Sequence, residues 1–182
     1  MARGMLVAPG AGADRDHHTL VALERGLHPF PVRRFDFPYR KEGRRSPDRA
    51  PKAVASVVVE VEVMAHDLGV RTGDLVIGGR SYGGRMCSMA VAEGLPVAGL
   101  VLLSYPLHPP GKPARLRDDH FSEIGVPCLF ISGDRDAFGS PDELQESAAR
   151  IPAPVSLVWL KGGHDPKNQD EAVVEAVRSW LG

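Results

Sequence analysis

The stretch VIGGRSYGGRM, residues 76–86, places one serine between glycines directly after a run of apolar residues. Gly79 and Gly83 stand two residues before and two residues after Ser81, which fits the pattern G-x-S-x-G. This pattern is typical of a sharp turn from a strand into a helix that exposes the serine hydroxyl, and glycines occur there because side chains would clash. A glycine-rich turn without chemical function can carry the same letters, so the surrounding sequence must decide.

The rest of the chain alternates short apolar runs with amphipathic segments. Strands are predicted at 5–8, 32–35, 75–78, 97–103, 127–132 and 155–160, and helices at 17–26, 52–68, 82–93, 141–150 and 169–181. Most of the runs are apolar throughout, as expected of strands that are covered on both faces. Alternating strands and helices predict an α/β fold, a three-layer αβα sandwich with a mainly parallel sheet of about six strands. Residues 1–182 are expected to form a single domain, because this length suits one core better than two.

The segment VVVEVEV, residues 57–63, fits two kinds of secondary structure. It alternates like an edge strand and is rich in β-branched residues. Val54, Val57, Val58 and Val61 also form an apolar stripe at helical spacing. We favour the helix, because parallel strands near residues 32 and 75 need a crossover, and crossovers are usually helical.

The overall composition is that of an ordinary globular protein. A formal net charge of -1 argues against a nucleic-acid-binding chain, and charged residues, at 25%, are no more frequent than in most folded domains. No apolar run approaches the ~18 residues of a membrane span, and the first apolar run is too short for a secretory signal. We therefore expect a cytoplasmic protein with no membrane partner. Cys87 and Cys128 have no CxxC spacing and are predicted to be buried free thiols.

Three kinds of reactive side chain follow the predicted strands. Ser81 follows the third strand, Asp134 and Asp136 follow the fifth, and His164 follows the sixth. The carboxyl ends of parallel strands share one edge of a sheet, so these groups should meet there. An imidazole can take the proton of a serine hydroxyl as it attacks a carbonyl, and a carboxylate can fix the imidazole tautomer. We interpret Ser81, Asp136 and His164 as a catalytic triad, with Asp134 as the alternative acid.

Attack on a carbonyl also needs donors for the oxygen that becomes negatively charged. One donor is expected to be the backbone N–H of Tyr82, which follows the serine at a helix N-terminus. The other is expected from Ala11, in the loop APGAGA at residues 8–13, where Gly10 and Gly12 would let the backbone approach closely. A phosphate-binding loop is not favoured for this stretch, because no G-K-[ST] follows it.

Six stretches carry a resemblance to a known family: APGAGADRDH, RRFDFPYRKEGRR, GGRSYGGRM, LSYPLHPPGKP, SGDRDAFG and KGGHD. On these stretches the whole chain resembles the α/β-hydrolase superfamily. More narrowly, it resembles the compact, cap-less group related to dienelactone hydrolases, which includes the hydrolase-like region of a nonspecific-lethal complex subunit. The resemblance implies a minimal α/β-hydrolase fold without a lid domain. One departure is Pro9, which stands where many hydrolases carry a histidine in the oxyanion loop.

Several further side chains are candidates for the same cleft. Arg80, Tyr105 and His108 are predicted to bind substrate, although Arg80 can instead pair with an acidic neighbour and hold the turn. The loop YPLHPPGK, residues 105–112, contains prolines that should make it a stiff pocket wall. No metal site is expected, because His17, His18 and His108 have no carboxylate at ligand spacing.

The segment 33–52 is strongly basic, with eight basic and three acidic residues and hence a local charge of +5. It can attract an acidic substrate or partner, or it can be an ordinary solvated loop, and both interpretations stay open. Nucleic acid is not expected as a partner, since aromatic stacking groups beyond Phe35, Phe37 and Tyr39 are lacking there.

Two functional hypotheses follow from these observations. In the first, the protein is a serine hydrolase that acts on a small ester, thioester or lactone through an acyl-enzyme on Ser81 and needs no cofactor. In the second, it is a catalytically silent module of the same fold that binds a protein partner. The first hypothesis requires only a small-molecule substrate, and both are compatible with a homo-oligomer.

Overall fold

A six-stranded sheet between two layers of helices forms the protein, which a computed structural model describes over residues 1–182. The strands are β1 (Gly4–Ala8), β2 (Val32–Arg34), β3 (Leu75–Arg80), β4 (Gly99–Leu103), β5 (Cys128–Gly133) and β6 (Val155–Leu160). The α-helices are α1 (His18–Gly26), α2 (Pro38–Lys41), α3 (Ala50–Leu68), α4 (Tyr82–Ala92), α5 (Pro141–Ala148) and α6 (Asp170–Leu181). Two 3₁₀ helices, Thr72–Asp74 and Phe121–Glu123, precede β3 and β5.

The strands lie in the order β2-β1-β3-β4-β5-β6, and every neighbouring pair is parallel. The sheet is thus wholly parallel, and the predicted α/β class is confirmed. From β1 the chain passes to β2 on one side and then returns to β3 on the other. The loops after β1 and β3 therefore diverge at the carboxyl edge of the sheet, the place where open parallel sheets bind ligands.

Each face of the sheet has its own apolar core. Along β1, Leu6 and Ala8 belong to the larger core, which also contains residues of α3, α4 and α5. Met5 and Val7 belong to the smaller core, which contains residues of α1 and α6. This alternation follows from the two-residue period of a strand, and burial on both faces explains why the strands are apolar throughout.

The segment 57–63 is helical, as the crossover argument predicts, and lies within α3. Val57 and Val61 are fully buried, whereas Val59 and Val63 are 55% and 45% exposed. The helix ends at Gly69, whose φ of 64° is a left-handed conformation that favours glycine. Burial of the valine stripe against β1 and β3 therefore outweighs the strand preference of β-branched residues.

The sequence patterns do not predict the short helix α2. It begins at Pro38, a residue that suits the first position of a helix, and Phe37 and Tyr39 are fully buried. The backbone N–H of Tyr39 donates to the Asp48 carboxylate at 3.0 Å. A four-residue helix is too short for hydrophobic periodicity to reveal, so proline is the only signal of it in the sequence.

Cys87 and Cys128 are buried and unpaired, as expected. Burial raises the pKa of both thiols, that of Cys128 to about 12, so neither is a reactive thiolate near neutral pH. None of the helices combines the length and the apolar character that crossing a membrane requires.

Glycines bring the backbones of β1, β3 and α4 into close contact. A Cβ added at Gly83 would lie 2.4 Å from the carbonyl oxygen of Pro9 and 2.7 Å from that of Ala8. A Cβ added at Gly79 would lie 2.4 Å from the Ala8 carbonyl oxygen. Both motif glycines are therefore required by backbone contact, Gly79 between β3 and β1, and Gly83 between α4 and the end of β1. The contact at Gly83 fixes where α4 begins.

We predict that Gly83→Ala destabilises the protein, because its methyl group must push the backbone of the β1 loop away. Overpacking of this kind costs about 1–3 kcal/mol. Gly73→Ala is the matched control, since Gly73 has no atom within 4 Å of its added Cβ and should tolerate the change. Urea unfolding of the two variants measures the difference, and equal midpoints would contradict the packing argument.

Candidate active site

A chain of hydrogen bonds joins three of the residues singled out in the sequence. The Oγ of Ser81 lies 2.8 Å from Nε2 of His164. The Nδ1 of the same ring lies 2.8 Å and 3.0 Å from the two carboxylate oxygens of Asp136. The three residues come from the carboxyl ends of β3, β5 and β6, so the parallel sheet brings them together across more than 50 residues of sequence.

The surroundings of the imidazole favour one orientation and one tautomer. A carboxylate only accepts, so Nδ1 of His164 carries the proton donated to Asp136, and Nε2 accepts the hydrogen bond from Ser81. The Asp136 side chain is 1% exposed and also accepts the N–H of Phe138 at 2.8 Å. The Phe138 ring stacks on the imidazole with centroids 4.0 Å apart. Sequence reasoning missed Phe138, whose only signal is its position two residues after Asp136.

The backbone at Ser81 is strained. Its φ of 50° and ψ of -117° lie in a region that residues with a side chain rarely adopt. Its N–H donates to the carbonyl of Leu103, the last residue of β4, at 2.8 Å. Its carbonyl accepts the N–H of Arg85 at 3.0 Å in the first turn of α4. Both bonds hold the serine between strand and helix, the local geometry that G-x-S-x-G predicts.

The loop that carries His164 is bonded to neighbouring elements on both sides. Arg80, at the end of β3, donates to the His164 carbonyl oxygen at 2.9 Å and lies 2.9 Å from the Asp165 carboxylate. On the other side, Asp134 accepts the N–H of Gly162 at 2.9 Å. These contacts favour the structural alternative for Arg80. They also give Asp134 a role other than contact with the imidazole.

The backbone N–H groups of Ala11 and Tyr82, both near Ser81, have no partner within the protein. The carbonyl of Ala11 accepts the hydroxyl of Tyr39 at 2.8 Å, which fixes this peptide unit. A Cβ added at Gly10 would lie 3.6 Å from the Cβ of Ser81, so the loop after β1 runs beside the serine. Gly12 has no protein atom within 4 Å of an added Cβ, so packing within the protein does not require a glycine there.

The side chains of Tyr105 and His108 are bonded to other residues of the protein. Tyr105 is 1% exposed, and its hydroxyl donates to the carbonyl of Arg117 at 2.7 Å. His108 is 5% exposed, and its Nε2 lies 3.4 Å from the carboxylate of Glu143. Both side chains are buried and already bonded, which favours a structural role, and their contact with substrate stays a prediction.

His17 and His18 stack on each other with ring centroids 4.3 Å apart, and each lies 3.7 Å from Asp165. The sequence argument found no carboxylate near them, and Asp165 corrects it. The arrangement is a poor metal site for two reasons. The same oxygen of Asp165 lies 2.9 Å from the guanidinium of Arg80, and Nδ1 of His17 accepts the N–H of Thr19 at 3.3 Å. An additional cation would be repelled by Arg80, and the neutral His17 carries its proton on the nitrogen that would have to bind the metal.

The basic segment 33–52 is largely neutralised by ion pairs. Six of its eight basic residues lie within 4.0 Å of a carboxylate, namely Arg33, Arg34, Arg40, Lys41, Arg44 and Lys52. The partners of Arg44 and Lys52 include Asp48, whose pKa these two cations lower against the opposing effect of desolvation. The pairing favours the interpretation of this segment as an ordinary solvated loop over that of an anion-binding surface.

Comparison with known proteins agrees with this fold. A family model described as "Alpha/beta hydrolase domain" matches residues 2–177. Among solved structures, the chain is similar to Est1E from Butyrivibrio proteoclasticus with bound ferulic acid (TM-score 0.76, 16% identity, covering 99% of this chain and 88% of the other). It is also similar to an alpha-beta serine hydrolase homologue from Coxiella burnetii (TM-score 0.79, 17% identity, 97% and 85% covered).

A third similar structure is the type II thioesterase BorB from the borrelidin biosynthetic cluster (TM-score 0.73, 15% identity, 100% and 94% covered). At these identities the structures share the fold, and the family model carries the assignment. Because that model spans nearly the whole chain, the protein belongs to the α/β-hydrolase family of enzymes, as the sequence resemblance implied.

Proposed function

We propose that the protein is a serine hydrolase that cleaves a small ester, thioester or lactone through an acyl-enzyme on Ser81. The observation that carries the proposal is the unbroken series of hydrogen bonds from Ser81 through His164 to Asp136. The strained backbone of Ser81 is a second support, because such strain is common where a side chain must be held for reaction.

The chemistry divides into two half-reactions. In the first, the oxygen of Ser81 attacks the substrate carbonyl while Nε2 of His164 takes the hydroxyl proton, and Asp136 stabilises the resulting imidazolium. The imidazolium then protonates the leaving group as the acyl-enzyme forms. In the second, His164 takes a proton from water, which attacks the acyl group, and Ser81 is released with its proton restored.

The negative charge on the carbonyl oxygen needs preorganised donors in both half-reactions. The free N–H groups of Tyr82 and Ala11 supply them in this proposal. The N–H of Tyr82 lies at the N-terminus of α4, where the helix dipole adds to the attraction. Each such donor typically contributes about 3 kcal/mol to stabilisation of the transition state.

The similar structures named above agree with this reaction class. One was solved with ferulic acid bound, and another is described as a thioesterase. Both names concern acyl groups, so esters and thioesters are the first substrates to test. A panel of nitrophenyl esters of graded acyl length would define the preferred substrate.

We predict that a fluorophosphonate probe labels the folded protein on Ser81 and that Ser81→Ala abolishes the labelling. The probe needs a nucleophile activated by a neighbouring base, and His164 is the only imidazole bonded to Ser81. Ser122→Ala is the matched control, because Ser122 is exposed and bonds only to the neighbouring Glu123. Wild-type protein that is folded and still unlabelled would favour the protein-binding module instead.

We predict that Asp136→Asn lowers kcat for a nitrophenyl ester by roughly 10³-fold or more, because the amide removes the charge that stabilises the imidazolium. Asp134→Asn makes the same chemical change two residues away and should change kcat only modestly, since Asp134 bonds to Gly162. Steady-state kinetics of both variants decide between the two carboxylates. A larger loss in Asp134→Asn would reverse the assignment.

A further inference from the structure

Two arginines near the proposed active site are partly buried and have no carboxylate partner. Six lysine or arginine residues of the chain are not exposed, namely Arg33, Arg34, Arg40, Arg80, Arg85 and Arg117. The first four each form an ion pair, at 2.7 to 3.4 Å. Arg85 and Arg117 form none, and every other unpaired lysine or arginine is exposed to solvent.

The guanidinium of Arg85 is also poor in hydrogen bonds. Its Nε is buried and has no acceptor, and its side chain makes no hydrogen bond with the protein. Arg117 donates one bond, a long one of 3.3 Å to the carbonyl of Pro106. Burial and the charge of Arg85 lower the pKa of Arg117, so the two cations lie in each other's field. Partial burial of two like charges without a counter-ion is unfavourable and demands a reason.

Both arginines belong to segments that are hydrogen-bonded close to Ser81. Arg85 is one helical turn after it, where side chains four residues apart are neighbours and lean toward the N-terminus of the helix. The N-terminus of α4 is the end that carries the serine. The carbonyl of Arg117 accepts the hydroxyl of Tyr105 at 2.7 Å, and Tyr105 lies two residues after Leu103, whose carbonyl accepts the Ser81 N–H. The charge of Arg85 acts on Arg117, so these two segments bring their guanidinium groups near each other.

The other groups around Arg85 do not neutralise it. Its charge affects Tyr82, Tyr105 and His120, all of them neutral near pH 7. Burial and then the charge of Arg85 lower the pKa of His120 to about 4. Asp118, whose charge acts on the same His120, forms an ion pair with Arg150 at 3.1 Å and not with Arg85.

We infer that Arg85 and Arg117 form an anion-binding subsite that holds a carboxylate carried by the substrate. The planar guanidinium groups match the two oxygens of a carboxylate, and a bound anion would supply the missing counter-charge. The subsite rests on the proposed function and narrows it to esters or thioesters with an acidic group on the part that lies beside α4.

The test compares two substrates that differ only in charge, mono-4-nitrophenyl adipate and its neutral methyl ester. Wild-type protein should prefer the acidic ester in kcat/KM. Arg85→Gln should lower kcat/KM for the acidic ester by about 10-fold or more, and leave the neutral ester within about 2-fold. Arg117→Gln should act in the same direction. Arg115→Gln is the matched control, because it removes the same charge from an exposed side chain in the same loop.

A binding measurement separates this inference from the proposed function. Ser81→Ala protein, which cannot form an acyl-enzyme, is titrated calorimetrically with monomethyl adipate and with butyl phosphate. Binding of the carboxylate that is lost in Ser81→Ala/Arg85→Gln supports the subsite even if the wild type hydrolyses no ester. Tighter binding of the phosphate, or binding of neither anion, would overturn the inference. So would an Arg85→Gln enzyme that handles both esters like the wild type.

Thermal unfolding tests whether a loss of activity in Arg85→Gln arises from misfolding. In buffer without carboxylates, Arg85→Gln should be at least as stable as the wild type, because it removes an uncompensated charge. A lower Tm together with a loss on both esters would mean that Arg85 supports the structure and would overturn its assignment to the subsite.

Discussion

The approach of α4 to β1 and β3 is the contact on which the site depends. At Gly83 the helix meets the end of β1, and at Gly84 it meets β3, so closely that any side chain would overlap a carbonyl oxygen. Because the helix is fixed at this distance, Ser81 alone must connect β3 to α4, and its backbone takes a positive φ. The strain at the serine is therefore sustained by packing elsewhere, mainly by burial of the cores on the two faces of the sheet.

Much of the fold could be predicted from the sequence, because parallel strands covered on both faces leave a strong apolar signal. The predicted strand at 155–160 coincides with β6, and the predicted helix at 169–181 differs from α6 by one residue. The helix at 57–63 followed from topology, where propensity alone was ambiguous. The short helix α2 was missed because four residues carry no period.

The site itself was predictable only in part. The positions of Ser81, Asp136 and His164 follow from strand ends, which the sequence reveals. The partners of side chains in loops cannot be predicted in this way. The sequence does not reveal that Tyr105 is buried and does not line a cleft, or that Arg80 pairs with Asp165. The unpaired state of Arg85 was equally invisible, because it depends on which carboxylates the remaining loops happen to bring close.

The anchoring of the loop that carries His164 has a thermodynamic consequence. Arg80 and Asp134 secure this loop from opposite sides, and Phe138 covers one face of the ring. The imidazole thus loses its rotational freedom when the chain folds. It does not have to lose that freedom again when a substrate molecule binds. In the proposed reaction, rigidity acquired during folding would lower the activation barrier of every turnover.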